Sequence, residues 1–302
     1  MKKIIVNLIL FVIFSLILSL IILSTIGIET NKFNKFISKK ISQSKNINLE
    51  LSTIKFKLDP KQLSLFLETE KPNINYRELQ IPVQNIKAYV DFISLIKVNP
   101  EIKKITIVLE ELDIKELNRL SKIVKPSNFK SLLNNKVKSG KLISEIEFFL
   151  NKEGLLKNFI AKGKVKDLNI ELLKNTLLTK TKFSFFADNS DILIKNIFGN
   201  IDNVKILDGD LKINLDNELK LNSNFKTYLN LDQKFFTKHK KYLGENKNFE
   251  KVKNLKGEFN NSFFINFDNT YKIKDYNYNI SGNLEKSKLE LIEAIKNNFI
   301  ID

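Results

Sequence analysis

Three spacings of apolar residues follow one another along the chain. From Ile4 to Ile28 the run is unbroken, nearly all Ile, Leu, Val and Phe, and carries no charge. A helix rising about 1.5 Å per residue needs about 20 apolar residues to cross a bilayer core of roughly 30 Å. This run is long enough, so it predicts a transmembrane anchor over 1–30. Between Asn31 and Ser42 the spacing becomes helical: Phe33, Phe36, Ile37 and Ile41 share one face, and Lys32, Lys35, Lys39 and Lys40 share the other. Such a stripe suits a helix lying on lipid headgroups, and equally one that caps the end of a sheet.

From Ile47 the period is two, the mark of strands with one apolar face. Leu49 and Leu51, then Ile54, Phe56 and Leu58, then Leu63, Leu65 and Leu67 alternate with mostly polar residues, and Asp59-Pro60-Lys61 supplies a turn. The alternation continues through Ile86, Ala88 and Val90 and through Ile105, Ile107 and Leu109, with one or two helical turns between them at Asp91–Lys97. Asp113 to about Val137 reads as helix, interrupted at Pro126 and stopped by Ser139-Gly140. Beyond Gly140 strands dominate, with one short helix insert at Asp232–Leu243. The longest alternation is Leu255, Gly257, Phe259, Asn261, Phe263, Ile265 and Phe267. There is hardly room after Gly140 for the crossover helices a parallel sheet needs, so the strands must meander antiparallel. The expected fold is mainly β with a few helices: a transmembrane helix followed by a long, twisted, mostly antiparallel open sheet with short helix inserts. The expected organisation is an anchor over 1–30, an α+β module over 31–139 and a β extension over 140–302.

Composition changes this picture little. The 302 residues carry a formal net charge of +16, which can mark a nucleic-acid or anionic-membrane partner. Here the lysines alternate with apolar residues on solvated strand faces, and no groove-reading motif accompanies them, so nucleic acid is not expected. Alanine is confined to positions 88, 161, 187 and 294 amid abundant Lys, Asn and Ile, the bias of an AT-rich genome. The chain has no Cys, which removes disulfides, thiolate metal sites and Cys nucleophiles. At the N-terminus, a cleaved signal peptide would have a shorter apolar core and a small-residue cleavage site, which Ser24-Thr25-Ile26-Gly27-Ile28 does not offer. Lys2 and Lys3 favour an inside N-terminus, and Lys32, Lys35, Lys39 and Lys40 argue the other way; an inside N-terminus with the body outside is the preferred reading.

Chemistry is sparse. The one histidine, His239, sits among Lys238, Lys240 and Lys241 in a polar stretch and reads as a surface residue. Glu110, Glu111 and Asp113 form the densest acid cluster, and a strand end followed by a helix N-cap accounts for them. No phosphate loop, metal-ligand spacing or catalytic constellation is present, so no enzyme, cofactor or metal site is expected.

The order of elements is similar to the start of the AsmA-like family of bridge-like lipid transfer proteins. The resemblance rests on the anchor, the strands Asn48–Lys57 and Gln62–Thr69, and the segment Lys71-Pro72-Asn73-Ile74-Asn75-Tyr76. It extends over Ile86–Ile96 and Ile102–Leu109, and over glycine-centred strands such as Gly163-Lys164-Val165-Lys166-Asp167-Leu168-Asn169-Ile170. It covers most of the chain at the level of pattern, and full-length members are longer. It implies a gutter-shaped sheet, a single-pass inner-membrane anchor with a periplasmic body, and a part in phospholipid transport towards the outer membrane or in that membrane's maintenance. On this reading acyl chains lie in an open groove lined by Leu211, Ile213, Phe259, Phe263, Ile265, Phe267 and Ile280, where burial contributes about 0.8 kcal/mol per CH₂. Glycines on that face, at 163, 199, 209, 257 and 282, would leave room for the chains. Two other arrangements compete. One is a closed β-sandwich, in which the apolar faces pack on each other. The other is an anchored structural or assembly factor whose sheet binds a protein partner by its edge or face, with an envelope protein at the C-terminal end as a candidate.

Overall fold

The structure is a computed structural model; the residues it describes are 2–30, 47–51, 53–61, 64–76, 79–90, 101–121, 135–173, 176–215, 218–243, 252–268, 272–285 and 287–289. The amphipathic stretch over 31–42, the helical turn over 91–97, residues 122–134 of the helix expected from Asp113 and the tail past residue 289 lie outside them; residues 135–136 are helical. Three helices are described: α1 (Lys2–Thr25), α2 (Ile114–Ser121) and α3 (Gln233–Leu243). The strands of the first half are β1 (Ile28–Thr30), β2 (Ile47–Glu50), β3 (Ile54–Asp59), β4 (Ser64–Glu70), β5 (Asn73–Tyr76), β6 (Leu79–Ile81), β7 (Val83–Val90), β8 (Ile102–Leu109) and β9 (Leu112–Asp113). Those of the second half are β10 (Val137–Leu150), β11 (Leu156–Leu173), β12 (Thr176–Ala187), β13 (Asp191–Ile201), β14 (Val204–Asn214), β15 (Lys220–Asp232), β16 (Val252–Phe267), β17 (Ile273–Leu284) and β18 (Lys288–Leu289).

The protein is mostly antiparallel β, and its main sheet is open. Hydrogen bonding follows the order β1-β3-β4-β7-β8-β10-β11-β12-β13-β14-β15-β16-β17, with β9 on β10 and β18 on β16, a 15-stranded sheet; β2, β5 and β6 form a second sheet of three strands. The chain divides into two compact units. The first takes Met1–Lys125 with Ile143–Gly163, the second Pro126–Leu142 with Lys164–Asp302, so β10 and β11 each contribute to both.

In the first unit, α1 ends where the amides of Ile26 and Gly27 both donate to the Ile22 carbonyl, at 3.0 and 2.9 Å. Gly27 has a φ of +77°, and a Cβ there would stand 2.6 Å from Lys57 Cγ and 2.9 Å from the Phe56 carbonyl oxygen. Only glycine fits such a turn at such close quarters. β1 begins at the next residue and pairs Ile28 with Phe56 on β3. From there the register aligns Phe56, Leu67, Ala88, Ile105 and Phe148 across β3, β4, β7, β8 and β10. Directly paired residues share a sheet face, so this row and its neighbours make the face apolar. The small sheet packs part of it: Leu49, Ile74 and Val83 form one buried cluster with Ile81, Ile86, Ile107 and Leu109 against it, and Ile54, Leu67, Ala88 and Val90 form another.

The opposite face of the same strands is tied by charge. Lys57 meets Glu68 at 2.7 Å and Lys87 meets Glu68 at 3.6 Å. Lys162 reaches both Glu145 and Glu147, at 3.1 and 3.2 Å. The Lys104 ammonium stands 4.1 Å above the Tyr89 ring. Burial, with Asp59 and Glu147 nearby, pushes the Tyr89 hydroxyl up to about 12. At the start of α2 the Glu116 amide donates to Asp113 Oδ1 at 3.0 Å, the N-cap expected there.

In the second unit one boundary differs from expectation. Ser139 and Gly140 do not stop a helix; they lie inside β10. Pairing with β11 overrides their local preference: Asn169 Nδ2 donates to Ser139 Oγ at 2.5 Å, Lys138 pairs with Glu171 at 2.9 Å, and Gly140 sits against Leu168. β11, which holds the glycine-centred stretch Gly163–Ile170, is one strand of 18 residues, continued through Asp167 at a φ of 50°. Similar irregularities recur on the following strands, with Lys180 at 51° and Asn196 at 55°, and with a register shift between Ile206 and Asp208. Bulges of this kind raise the local twist and bend the strand that carries them.

Candidate functional site

The seven residues expected to line a groove all fall on one face of β14, β16 and β17. β15 stands between β14 and β16 and links them by register. One rung reads Ala187, Ile192, Ile213, Leu221, Ile265 and Tyr276 across six strands. The next reads Phe185, Ile194, Leu211, Ser223, Phe263 and Tyr278. A third holds Gly209, Phe225, Asn261 and Ile280, and a fourth Ile206, Thr227, Phe259 and Gly282. Phe267 pairs with Ile273 at the strand ends. At about 4.8 Å per strand, six strands make a strip about 24 Å wide.

This face is not sealed. Leu211, Ile213, Phe259, Phe263, Ile265 and Phe267 are half-buried, and Ile280 is 49% exposed. Tyr276 and Tyr278, which complete the two longest rungs, are 71% and 55% exposed. Among the described residues of this unit the buried apolar side chains are Val137, Ile197, Ile206, Leu231 and Phe236, and only Ile206 belongs to the four rungs. A sandwich would bury these positions from both sides; among the described residues they form a single layer.

The glycines on this face do not leave open space. The Phe225 ring lies over Gly209, where a Cβ would overlap it; at Gly282 a Cβ would meet the Glu258 carbonyl oxygen first and then the Phe259 ring. Thr181 and Leu178 crowd Gly199. The rings of Phe225 and Phe263 stack at 5.8 Å between centroids. The glycines therefore let rings lie flat on the sheet, which smooths the face instead of pitting it. Three of its polar residues bond within the sheet: Asn261 Nδ2 donates to Thr227 Oγ1 at 2.9 Å, and the Tyr278 hydroxyl donates to Asn261 Oδ1 at 3.3 Å; Ser223 Oγ is buried without a partner among the described residues. Burial raises the Tyr278 pKa, so that hydroxyl stays protonated and keeps donating at neutral pH.

Sequence reasoning named six rung residues, with Phe267 at the strand ends, and left out Phe185, Ile192, Ile194, Leu221, Phe225, Tyr276 and Tyr278. The signal was the same alternation on the neighbouring strands, but register was needed to show that they share the face. It also placed His239 at the surface. The side chain is buried instead, with Nε2 2.8 Å from Asp202 Oδ2 and the ring 4.5 Å from that of Phe235. Lys238 Nζ donates to both oxygens of the same carboxylate, at 2.8 and 2.9 Å. Burial works to raise the Asp202 pKa, but the Lys238 and His239 contacts outweigh it and hold the group below its ordinary value. These contacts tie α3 to the turn between β13 and β14. No feature near His239 in sequence announces a partner 37 residues away.

α1 is long and apolar enough to cross a membrane, and its described side chains from Lys3 to Thr25 are mostly exposed. Comparison with protein-family models, with curated proteins and with solved structures returns no match.

Proposed function

We propose that this is a membrane-anchored, non-catalytic lipid-binding protein, and that phospholipid acyl chains lie along the apolar face of β12–β17. The observation that carries the reading is the half-buried state of the rungs in a single-layer sheet. A contiguous apolar surface left to water marks a binding site or a liability, and covering this one with hydrocarbon contributes about 25 cal/mol for each Å² removed from water. The rungs are alike and shallow, and flattened phenyl rings take the place of pockets. No single position holds a chain more strongly than the next, an arrangement suited to sliding. Headgroups remain in solvent, where the lysines of the strands and turns lie.

The resemblance to the AsmA-like family extends this reading: an inner-membrane anchor with a cytoplasmic N-terminus, a periplasmic body, and a part in phospholipid movement between inner and outer membranes or in outer-membrane maintenance. The test is the lipid content of the purified full chain, by mass spectrometry after exchange into a lipid-free detergent. Wild type is expected to retain phospholipid. Ile265→Asp places a charge in the middle of the strip and should remove most of it, since an unpaired carboxylate among apolar groups is strongly disfavoured. Lys212→Asp, on the opposite face of the sheet, should not. Wild-type protein free of phospholipid, or equal retention by both variants, would overturn the reading.

A further inference from the structure

β17 ends the order of the main sheet, and nothing on it discourages a further strand. The other end, β1, is three residues long and follows α1 almost at once. β17 has 12 residues, every one exposed. Edge strands of natural proteins are usually guarded by shortness, by proline, by bulges or by charge. β17 has no proline, and its one register shift, between Asn266 and Phe267 of β16, lies at its beginning. Its only charges are Lys274 and Asp275, which cancel, in a chain of net charge +16.

The hydrogen-bond phase shows which backbone groups face outward. The Glu285 amide donates to the Lys256 carbonyl at 2.9 Å, and the register then runs without interruption from Gly257–Leu284 to Asn266–Asp275. In an antiparallel pair the bonded residues alternate, so the odd-numbered residues of β17 bond to β16. Tyr276, Tyr278, Ile280, Gly282 and Leu284 turn their N–H and C=O groups to the open edge. These residues also put their side chains, where they have one, on the apolar face.

We propose that this edge pairs with the same strand of a second copy of the chain, antiparallel about a two-fold axis through Tyr278. That register sets Tyr278 opposite Tyr278 and Tyr276 opposite Ile280, aromatic and aromatic–β-branched pairs of the kind that stabilise antiparallel strands. It sets Lys274 opposite Gly282 and Asp275 opposite Ser281, so no like charges meet. Tyr278 exchanges both hydrogen bonds with its symmetry mate, and Tyr276 and Ile280 do the same with each other. A two-fold axis normal to the sheet keeps both apolar faces on one side, so the rungs run on from one copy into the other. The self-complementary register selects a second copy, and neutrality permits it: the chain as a whole is highly basic, and this strand is a place where its charge does not oppose contact.

The experiment uses the purified full chain in detergent. Light scattering is expected to give a protein mass twice 35.1 kDa. The chain has no native cysteine, so single cysteines report the register. Tyr278→Cys should form a covalent dimer on mild oxidation, because directly bonded antiparallel pairs stand about 5.5 Å apart between Cα atoms, within the roughly 4.4–6.8 Å a disulfide spans. Ile280→Cys alone should not, since its own mate lies four residues along the strand, about 14 Å away. Mixed Tyr276→Cys and Ile280→Cys chains should cross-link to each other. Ile280→Pro removes an outward amide without touching the β16 ladder and should return a monomer with an unchanged β-sheet spectrum. A single 35.1 kDa mass would overturn the proposal, as expected if another protein's strand or the residues past 289 take the edge. So would cross-linking as strong at 280 as at 278, or a dimer without the Tyr278→Cys bridge, held by α1. If Ile280→Pro fails to fold, the cross-link map alone decides. None of these readouts depends on lipid content.

Discussion

The two units start from the same strand pattern and use it differently. In both, apolar residues alternate with polar ones and register gathers them on one face. In the first unit the chain lays a second layer over part of that face: β2, β5 and β6 bring Leu49, Ile74 and Ile81 against Val83, Ile86 and Ile107. Ile54, 1% exposed, is as buried as any residue described. The reverse side is knitted by the Lys57–Glu68–Lys87 contacts and by Lys162 between two glutamates. In the second unit no such layer lies over the four rungs among the described residues, and the reverse side carries mainly exposed Asn, Ser, Lys and Asp. Alternation specifies a face; a separate piece of chain must close it. Where that piece is present the sheet is a core, and where it is missing the same sequence grammar leaves a surface.

This contrast can be broken by substitutions of matched chemistry. The largest effect is expected from Ile54→Ala. Removing a fully buried isoleucine should lower unfolding stability by about 2–5 kcal/mol, read as a fall in the denaturant midpoint of the transition that reports the first unit. Ile213→Ala, the same change on a half-buried rung, should lower stability by only about 1 kcal/mol, since much of the side chain is already in water. Equal losses would mean that the rungs are as well packed as the core. The smallest effect concerns α3. Asp202→Asn removes the carboxylate that Lys238 and His239 share and should lower stability by up to about 1 kcal/mol, the side chain being part-exposed. Because the folded pKa of Asp202 lies below its ordinary value, its stabilising effect is fully present above the ordinary carboxylate range and is lost as pH falls through the folded pKa. Protection of the α3 amides in hydrogen exchange should therefore weaken on acidification in wild type and change less in Asp202→Asn.

Much of the fold was legible because its signals are local. Period two gave the strands, Asp59-Pro60-Lys61 gave a turn whose Lys61 amide donates to Asp59 Oδ1 at 2.9 Å, and Asp113 gave a helix cap. The illegible parts depend on distant partners. Ser139-Gly140 has the chemistry of a helix stop, and only Asp167 and Asn169 on the next strand turn it into ladder. Phe263 and Tyr278 look alike in their alternating runs, yet Phe263 lies between two strands and Tyr278 on an edge. The glycines pointed to close approach, as they should, but not to which group approaches; for Gly209 it is a neighbouring phenyl ring, and for Gly282 the Glu258 carbonyl oxygen with the Phe259 ring beside it. Likewise the seven expected groove residues could be named as a set because parity is readable, while the state of the face they build is not.

The junction at Gly27 carries a mechanical consequence. A long loose leash after an apolar N-terminal helix would let whatever follows roam and swivel. Here two residues separate the end of α1 from the first rung of β1, and the backbone between them is clamped against Lys57 and Phe56. The joint behaves as a weld. Any lean of the helix passes directly into the pitch of the strands beside it, so the first rungs keep a fixed distance and heading relative to the end of the helix.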